Sequence, residues 1–324
     1  MTQQIDSTSR TQDEIRRLAV DRGSTLNLDR ILVPLNGFRR SEQILPFASM
    51  LADWFAGEIT LFHSLPPTHP ARGARPGQVH YPDASHDRGT SLAAAYLEEI
   101  VSRLGPHGVK SRWGVATGDA ASMITSRSAT SSFGIVAIAT TTRSRPHRFI
   151  SHGLLDELWR TTSVPLLIVN PHHATLNGVP PQAPKMLIVP CSFGIADSAL
   201  PLANAIAGAS RSGVKIVLAR SASSAEIENE LIDKFTNDGI HIEIERGSKD
   251  LAEQSLNLQA ENPGSWLVAG SRMRSGLTRS VFGSIADTIA RDAIGPVVVA
   301  PHPEVMRKRK RSAHAATRDL ASSL

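Results

Sequence analysis

The chain of 324 residues contains one pattern of alternating strands and helices twice, and this internal repeat limits its fold more than any other feature. One apolar run ends in Pro34 and a second ends in Pro190, and four further predicted strands follow each of them, separated by helical segments. Strands that alternate with helices form parallel sheets with right-handed crossovers and helices on both faces. The sequence therefore predicts an α/β protein of two tandem domains, each with a five-stranded parallel sheet.

The two copies differ in length by one insertion. Pro34 and Pro190 lie 156 residues apart, whereas Asp156 and Asp287 lie only 131 residues apart. The difference of 25 residues equals the length of the segment 65–89, which is rich in proline and glycine and has little periodicity. We therefore predict that the first copy carries an insertion at 65–89, which is either a functional loop or disordered.

The predicted domain boundaries follow from this repeat. In chain order they are a flexible N-terminal arm at 1–28, domain 1 at 29–171, a linker at 172–184, domain 2 at 185–302 and a basic C-terminal tail at 303–324. Within domain 1, Ser41 is expected to cap the helix that follows the first strand, and another helix is expected from Thr90 to Leu104.

Composition excludes several classes of protein. No apolar run reaches the roughly 18 residues that a membrane span needs, and the N-terminus lacks the features of a secretory signal, so a cytoplasmic location is expected. The one cysteine, Cys191, cannot form an internal disulfide. The histidines show no metal-binding spacing, and the motifs of common hydrolases are missing, so no catalytic residue and no metal ligand is predicted.

A stretch with widely spaced glycines follows the predicted strand Trp266 to Ala269 and precedes a predicted helix. It contains Gly270, Gly276 and Gly283, with Ser284 at the expected start of the helix. Backbone N–H groups in such a loop, together with the positive end of a helix dipole, suit a bound phosphate. The spacing excludes the P-loop and the dinucleotide-binding glycine motif, so a different kind of phosphate loop is predicted.

This stretch resembles the C-terminal signature of the universal stress protein family, which has the pattern Gly-x2-Gly-x9-Gly-Ser/Thr. The matching residues are Gly270, Arg274, Ser275, Gly276, Leu277, Arg279, Gly283 and Ser284, and the segment from Ile31 to Gly37 also resembles the first strand of the family. Met273 stands where ATP-binding members have glycine, and Ser192 stands where the family usually has an aspartate near the adenine and ribose. In domain 1, Asn36 takes the place of that aspartate, and Ala139, Thr142 and His152 replace the three signature glycines.

The resemblance implies an adenine-nucleotide alpha-hydrolase-like, Rossmann-like fold and ATP as the ligand, with Mg²⁺ only as the ion that accompanies ATP. The nucleotide-binding residues implied in domain 2 are Ser192, Gly270, Ser271, Arg272, Arg274, Gly276, Gly283 and Ser284. Those implied in domain 1 are Asn36, Gly37, Thr140 and Arg143. By resemblance to family dimers, the fifth strands, Leu166 to Val169 and Val297 to Val299, are expected to pair and relate the two domains by a pseudo-two-fold axis.

Three functional hypotheses remain open at this stage. The preferred one is a non-catalytic stress-response protein that senses an adenine nucleotide through domain 2. The second is a weak ATPase, for which Asp287 is the one candidate metal-binding carboxylate in the signature region. The third is an interaction scaffold that binds no nucleotide, in which Gly270 and Gly283 serve only tight strand-to-helix turns. The protein partner and the formation of a homodimer are left open.

The basic tail is a separate feature. Its run from Arg307 to Arg311 contributes five positive charges to a chain whose net charge is +5, so the rest of the chain is close to neutral. A nucleic-acid-binding face across the domains is therefore not expected. The tail itself could attract nucleic acid or anionic lipid, or serve as a solubilising end.

Overall fold

The computed structural model describes residues 27–67, 82–139, 153–171, 182–192, 197–270 and 284–322. The described strands form one ten-stranded sheet in the order β3-β2-β1-β4-β5-β10-β9-β6-β7-β8. Their bounds are β1 Arg30–Pro34, β2 Glu58–Leu65, β3 Lys110–Thr117, β4 Ile135–Ala139, β5 Leu166–Val169, β6 Met186–Cys191, β7 Gly213–Leu218, β8 Ile242–Arg246, β9 Trp266–Gly270 and β10 Val297–Ala300.

Ten helices are described between and after these strands. They are α1 Arg39–Glu42, α2 Leu45–Trp54, α3 Pro82–Leu104, α4 Ala120–Thr130, α5 Leu154–Thr161, α6 Leu200–Ser210, α7 Ala225–Asn237, α8 Leu251–Glu261, α9 Ser284–Asp292 and α10 Pro303–Ser322. Short 3-10 turns lie at Gly105–His107 and Arg220–Ala222. The predicted α/β fold with two five-stranded parallel halves is confirmed.

The two halves of the sheet meet through their fifth strands. Strands β5 and β10 pair in antiparallel fashion, with Leu167 opposite Val298, while the other strand pairs are parallel. The order of strands in one half mirrors the order in the other half. The expected pairing of the fifth strands is therefore confirmed, and it covers an edge that each half would otherwise expose.

Alternation along the strands places apolar side chains on both faces of the sheet. In β1, Ile31 and Val33 belong to the core on one face, and Leu32 belongs to the core on the other. Helices α2, α3, α6 and α7 cover the first face, whereas α4, α5, α8 and α9 cover the second. This double cover explains why the central strands β4, β5 and β10 are almost continuously apolar, as buried parallel strands are.

An aromatic cluster ties the two domains together beneath the first helix layer. Trp266 on β9 of domain 2 is 1% exposed. Its ring centroid lies 5.3 Å from that of Trp54 and 6.0 Å from that of Phe47, and both partners belong to α2 of domain 1. A large apolar contact therefore crosses the domain boundary in addition to the paired strands.

The structure differs from the sequence predictions at four places. The fold includes Asn27 and Leu28, because Leu28 is buried in the core. Helix α3 begins at Pro82, inside the segment predicted as an insertion. Ser41 was predicted to cap the helix that is now α2, but it lies within the separate helix α1, and the N-cap of α2 is Ile44. Residues 303–322, predicted as part of a tail, form helix α10, which packs on α4 of domain 1.

Candidate functional site

The order of the strands reverses at two places, and both lie where the sequence predicts binding residues. Strand β1 lies between β2 and β4, and β6 lies between β7 and β9. Ligands of open parallel sheets bind beyond the carboxyl ends of strands at such reversals. Asn36 and Gly37 follow β1, Ser192 follows β6, and Gly270 ends β9. The tertiary structure thus gives each domain one candidate site.

In domain 2, Asp197 links the end of β6 to the start of α6 at this reversal. Its Oδ2 accepts a hydrogen bond from the backbone N–H of Ser192 at 3.0 Å, and its Oδ1 accepts one from the backbone N–H of Ala199 at 3.0 Å. The residue is only 5% exposed. A buried carboxylate requires such donors, and these two bonds fix the start of α6 relative to the end of β6.

Asp197 also explains why position 270 is a glycine. A Cβ atom at this position would lie 2.3 Å from Oδ1 of Asp197 and 2.6 Å from Oγ of Ser198. Both distances are far shorter than a van der Waals contact, so any side chain at 270 would displace the segment after β6. The glycine at the end of β9 is thus a packing requirement of domain 2.

Domain 1 has the equivalent hydrogen bond, formed by a smaller side chain. The backbone N–H of Asn36 donates to Oγ of Ser41 at 3.3 Å, and that hydroxyl donates to the carbonyl oxygen of Phe38 at 2.8 Å. Asn36 and Ser41 precede Ser192 and Asp197 by the repeat offset of 156 residues. This offset is a sequence signal that points to Asp197, although only the structure shows its hydrogen bonds.

The side chain of Asn36 stabilises a turn. Its Oδ1 accepts a hydrogen bond from the backbone N–H of Phe38 at 3.1 Å, and Gly37 between them has a φ of 81°. Left-handed backbone of this kind favours glycine. Asn36 and Gly37 are both exposed, so the turn borders the candidate site of domain 1 at its solvent side.

The two domains differ in how side-chain volume is distributed between two equivalent positions. Domain 1 has Ser41 and, at the end of β4, Ala139, whereas domain 2 has Asp197 and Gly270. The helix that contains Ser41 packs against β4. A larger side chain after the first strand is thus matched by a smaller residue at the end of the fourth strand. This exchange accounts for Ala139, one of the departures of domain 1 from the glycine signature, without reference to a ligand.

Helix α3 forms a wall beside the candidate site of domain 1. His86 lies near the start of α3, and its Nε2 is 3.5 Å from Oγ1 of Thr117 at the end of β3. Beside it, Oγ of Ser64 donates to the carbonyl oxygen of Gly118 at 2.8 Å, and Nδ1 of His63 lies 2.8 Å from the carbonyl oxygen of Leu35. Part of the predicted insertion therefore borders the carboxyl ends of β2 and β3.

Most of the predicted phosphate-loop residues lie outside the described part of the chain. These are Ser271, Arg272, Arg274, Gly276 and Gly283 in domain 2, and Thr140 and Arg143 in domain 1. Ser284 is described as the first residue of α9. Of the predicted residues, the structure therefore brings Ser192 and Gly270 together in domain 2, and it places Asn36 and Gly37 in one turn in domain 1.

Asp287, the carboxylate considered for a metal, takes part in an ion-pair network across the domain boundary. Nε of Arg291 donates to Oδ1 of Asp287 at 2.9 Å, and Nη2 of Arg291 donates to Oδ1 of Asp156 on α5 of domain 1. Burial opposes the charge on the Arg291 guanidinium, but the two carboxylates outweigh it and raise the pKa of Arg291. Asp287 is therefore bound by a cation of the protein itself.

Two searches of the described residues bear on other kinds of function. None of the helices there combines the length and the apolar character that crossing a bilayer requires. Within the same residues, no group of three or more histidine, cysteine, aspartate or glutamate side chains is arranged to hold a metal ion. Cys191, at the end of β6, is fully buried.

Comparison with known proteins agrees with this architecture. The model of the universal stress protein family matches residues 27–170 and 201–301. The segment between these ranges, which contains β6 and Ser192, is not matched. A search of curated protein sequences gives no match.

Solved structures show the same fold at low sequence identity. A universal stress protein from Archaeoglobus fulgidus superposes with a TM-score of 0.67 at 17% identity, and the match covers 85% of this chain and 99% of that one. A putative universal stress protein from Pseudomonas aeruginosa gives a TM-score of 0.62 at 15% identity, covering 89% and 98% of the two chains. The chain therefore belongs to the universal stress protein family and carries two copies of the family domain in tandem.

Proposed function

We propose that this protein is a non-catalytic stress-response protein whose domain 2 binds an adenine nucleotide, with ATP as the first candidate. The observation that carries the proposal is the position of Ser192 and Gly270 at the carboxyl ends of β6 and β9, where the strand order reverses. Crevices at such reversals are the usual ligand sites of this kind of sheet. Helix α9 begins at Ser284, and the N-terminus of a helix favours a phosphate.

The charge of Asp197 suggests how the nucleotide is oriented. Ser192 stands at the position where the family usually has an aspartate near the adenine and ribose. The buried carboxylate of Asp197 lies beside it and accepts a hydrogen bond from its backbone N–H. The negative charge of a carboxylate repels phosphate. We therefore propose that the phosphates lie towards the start of α9, away from Asp197.

Domain 1 is the less suitable site. Its equivalent position carries Ser41, which is uncharged, and the strand that leads into its loop ends in Ala139. In addition, helix α3 with His86 borders the strand ends on that side. We propose that the nucleotide binds to domain 2 and that domain 1 provides the paired half of the sheet.

The environment of Asp287 supports a non-catalytic role. Arg291 already neutralises this carboxylate and links it to Asp156 of domain 1, so recruiting Asp287 to a metal would break the network between the domains. The weak ATPase remains the alternative, and it requires slow turnover that Asp287→Ala abolishes.

Calorimetric titration with ATP, in the presence of Mg²⁺, tests the proposal. Saturable binding to the wild type that Gly283→Val abolishes would support a phosphate site in domain 2. The matched control is His152→Val, which changes the equivalent position of domain 1, and this variant should bind like the wild type. An absence of binding at millimolar ATP, or binding that is lost in His152→Val and kept in Gly283→Val, would overturn the proposal.

A further inference from the structure

Helix α10 carries a cluster of basic side chains on its solvent side. Arg307, Lys308, Lys310 and Arg311 are all exposed. With 3.6 residues per turn and a rise of 1.5 Å per residue, these four positions fall within about half of the helix circumference and within about 6 Å of its length. We call these four residues the basic face of α10.

Arg309 points the opposite way and anchors the helix to domain 1. Its Nη1 donates to the carbonyl oxygen of Thr162 at 2.6 Å and lies 3.5 Å from that of Trp159, both at the C-terminal end of α5. Burial lowers the pKa of Arg309 to about 10, so the side chain stays charged at neutral pH. A cation at this end of a helix also interacts favourably with the helix dipole.

The side of α10 that faces the protein is apolar apart from this anchor. Val305, Met306 and Ala313 are partly buried there, and the helix packs against α4. The orientation of α10 is therefore fixed by domain 1, and the basic face is directed away from it. A flexible charged tail would not present its cations as one fixed surface.

The acidic residues of the same segment, Glu304 and Asp319, offset only part of its positive charge. Residues 303–324 contain six basic and two acidic side chains, so they supply four of the five net positive charges of the chain. Between Val305 and Arg318 there is no acidic residue. In the part of the chain that the structure describes, the observed ion pairs join other residues, and none involves a member of the basic face.

We propose that the basic face of α10 binds the phosphate backbone of duplex nucleic acid without regard to sequence. A dense array of anions suits four cations packed into one turn of helix, and a duplex carries one negative charge for about every 1.7 Å of its axis. A membrane surface fits less well. An interfacial helix inserts its apolar side into the bilayer, whereas the apolar side of α10 is occupied by domain 1.

Fluorescence anisotropy with a labelled duplex of mixed sequence, measured between about 50 and 200 mM salt, tests this inference. Four phosphate contacts predict a slope of log Kobs against log salt of about −3.6 and a Kd on the order of 10⁻⁴ to 10⁻⁶ M near physiological salt. The variant in which Arg307, Lys308, Lys310 and Arg311 are all changed to alanine should lose at least tenfold in affinity. Each single change should reduce the slope by about 1.

The matched control removes the same charge elsewhere. Lys110, Lys185, Lys234 and Lys249 are exposed and lie outside α10, and changing all four to alanine should leave the slope unchanged. An equal loss of affinity in this control would overturn the inference, because net charge alone would then explain binding. Binding to vesicles that contain phosphatidylserine, without binding to the duplex, would also overturn it. Thermal denaturation of both variants verifies that neither has lost its fold.

Discussion

The carboxylate of Asp197 occupies the space that a side chain at Gly270 would need, since a Cβ atom at position 270 would lie 2.3 Å from its Oδ1. The two residues belong to different strand ends, 73 positions apart in the sequence. A glycine that the family pattern associates with phosphate binding therefore also has a packing function in this chain. The effect of this contact on stability can be tested separately from ligand binding, because domain 1 has Ser41 and Ala139 at the equivalent positions.

We expect Gly270→Ala to lower the free energy of unfolding by about 1 to 3 kcal/mol, because overpacking at this contact forces Asp197 and Ser198 to move. Adding Asp197→Ser, which copies the Ser41 and Ala139 pair of domain 1, should restore much of that loss. Urea denaturation of the two single variants and the double variant measures the coupling. Purely additive effects would show that Asp197 is not the reason for the glycine.

Arg160 and Arg291 stand at equivalent positions of the two domains. We expect the ion-pair network between the domains to depend on Arg291 alone. Arg291 contacts Asp156 and Asp287, whereas its equivalent in domain 1, Arg160, is exposed. Arg291→Met should destabilise the protein by about 1 to 3 kcal/mol, because two carboxylates lose their charged donor. Arg160→Met should change stability by no more than about 0.5 kcal/mol.

Thermal denaturation of these two variants at low and high salt provides the measurement. The difference between them should shrink in high salt, because partly exposed charges are screened. Equal effects of the two substitutions would show that the bridge between α5 and α9 contributes nothing specific.

A pH-dependent contribution is expected at the start of α4. Asp119 is the N-cap of this helix, and its carboxylate accepts a hydrogen bond from the backbone N–H of Ser122 at 2.9 Å, which lowers the pKa of Asp119. A carboxylate whose pKa is lower in the folded state stabilises the fold above its unfolded pKa of about 3.9. That contribution is lost as the pH falls through the lower, folded value.

Asp119→Ala should therefore cost about 1 kcal/mol at pH 7 and progressively less below pH 4. Asp119→Asn keeps an acceptor oxygen without the charge, so it should cost less at pH 7 and should remove the pH dependence. Chemical denaturation of the three proteins across this range makes the comparison. A constant difference between wild type and Asp119→Ala at every pH would contradict the assignment of the cap.

The sequence was sufficient for the features that repeat or that depend on local pattern. Most strands of the sheet follow from apolar runs, and the order of elements in domain 2 follows from its repetition of domain 1. The family resemblance added the pairing of β5 with β10. The start of α3 at Pro82 was missed because the segment before Thr90 has little apolar periodicity.

The candidate site was only partly predictable, because part of it depends on contacts between residues far apart in the sequence. Ser192 and Gly270 stand out by their positions in the repeat, but Asp197 becomes meaningful only when its two backbone hydrogen bonds and its proximity to Gly270 are known. A family pattern records the residue type at each aligned position separately. It does not record that a larger side chain after one strand requires a smaller residue at the end of another.

The amino-acid sequence by itself determined the duplication, the α/β class and the strand ends at which a ligand would bind, because these depend on periodicity and on spacing along the chain. Only the tertiary structure decided which residues cross the domain boundary. Arg309 binds the carbonyl oxygen of Thr162 across 147 positions, and Arg291 binds Asp156 across 135. No local pattern encodes such contacts, because they arise only after the paired fifth strands have brought the helices of the two domains together.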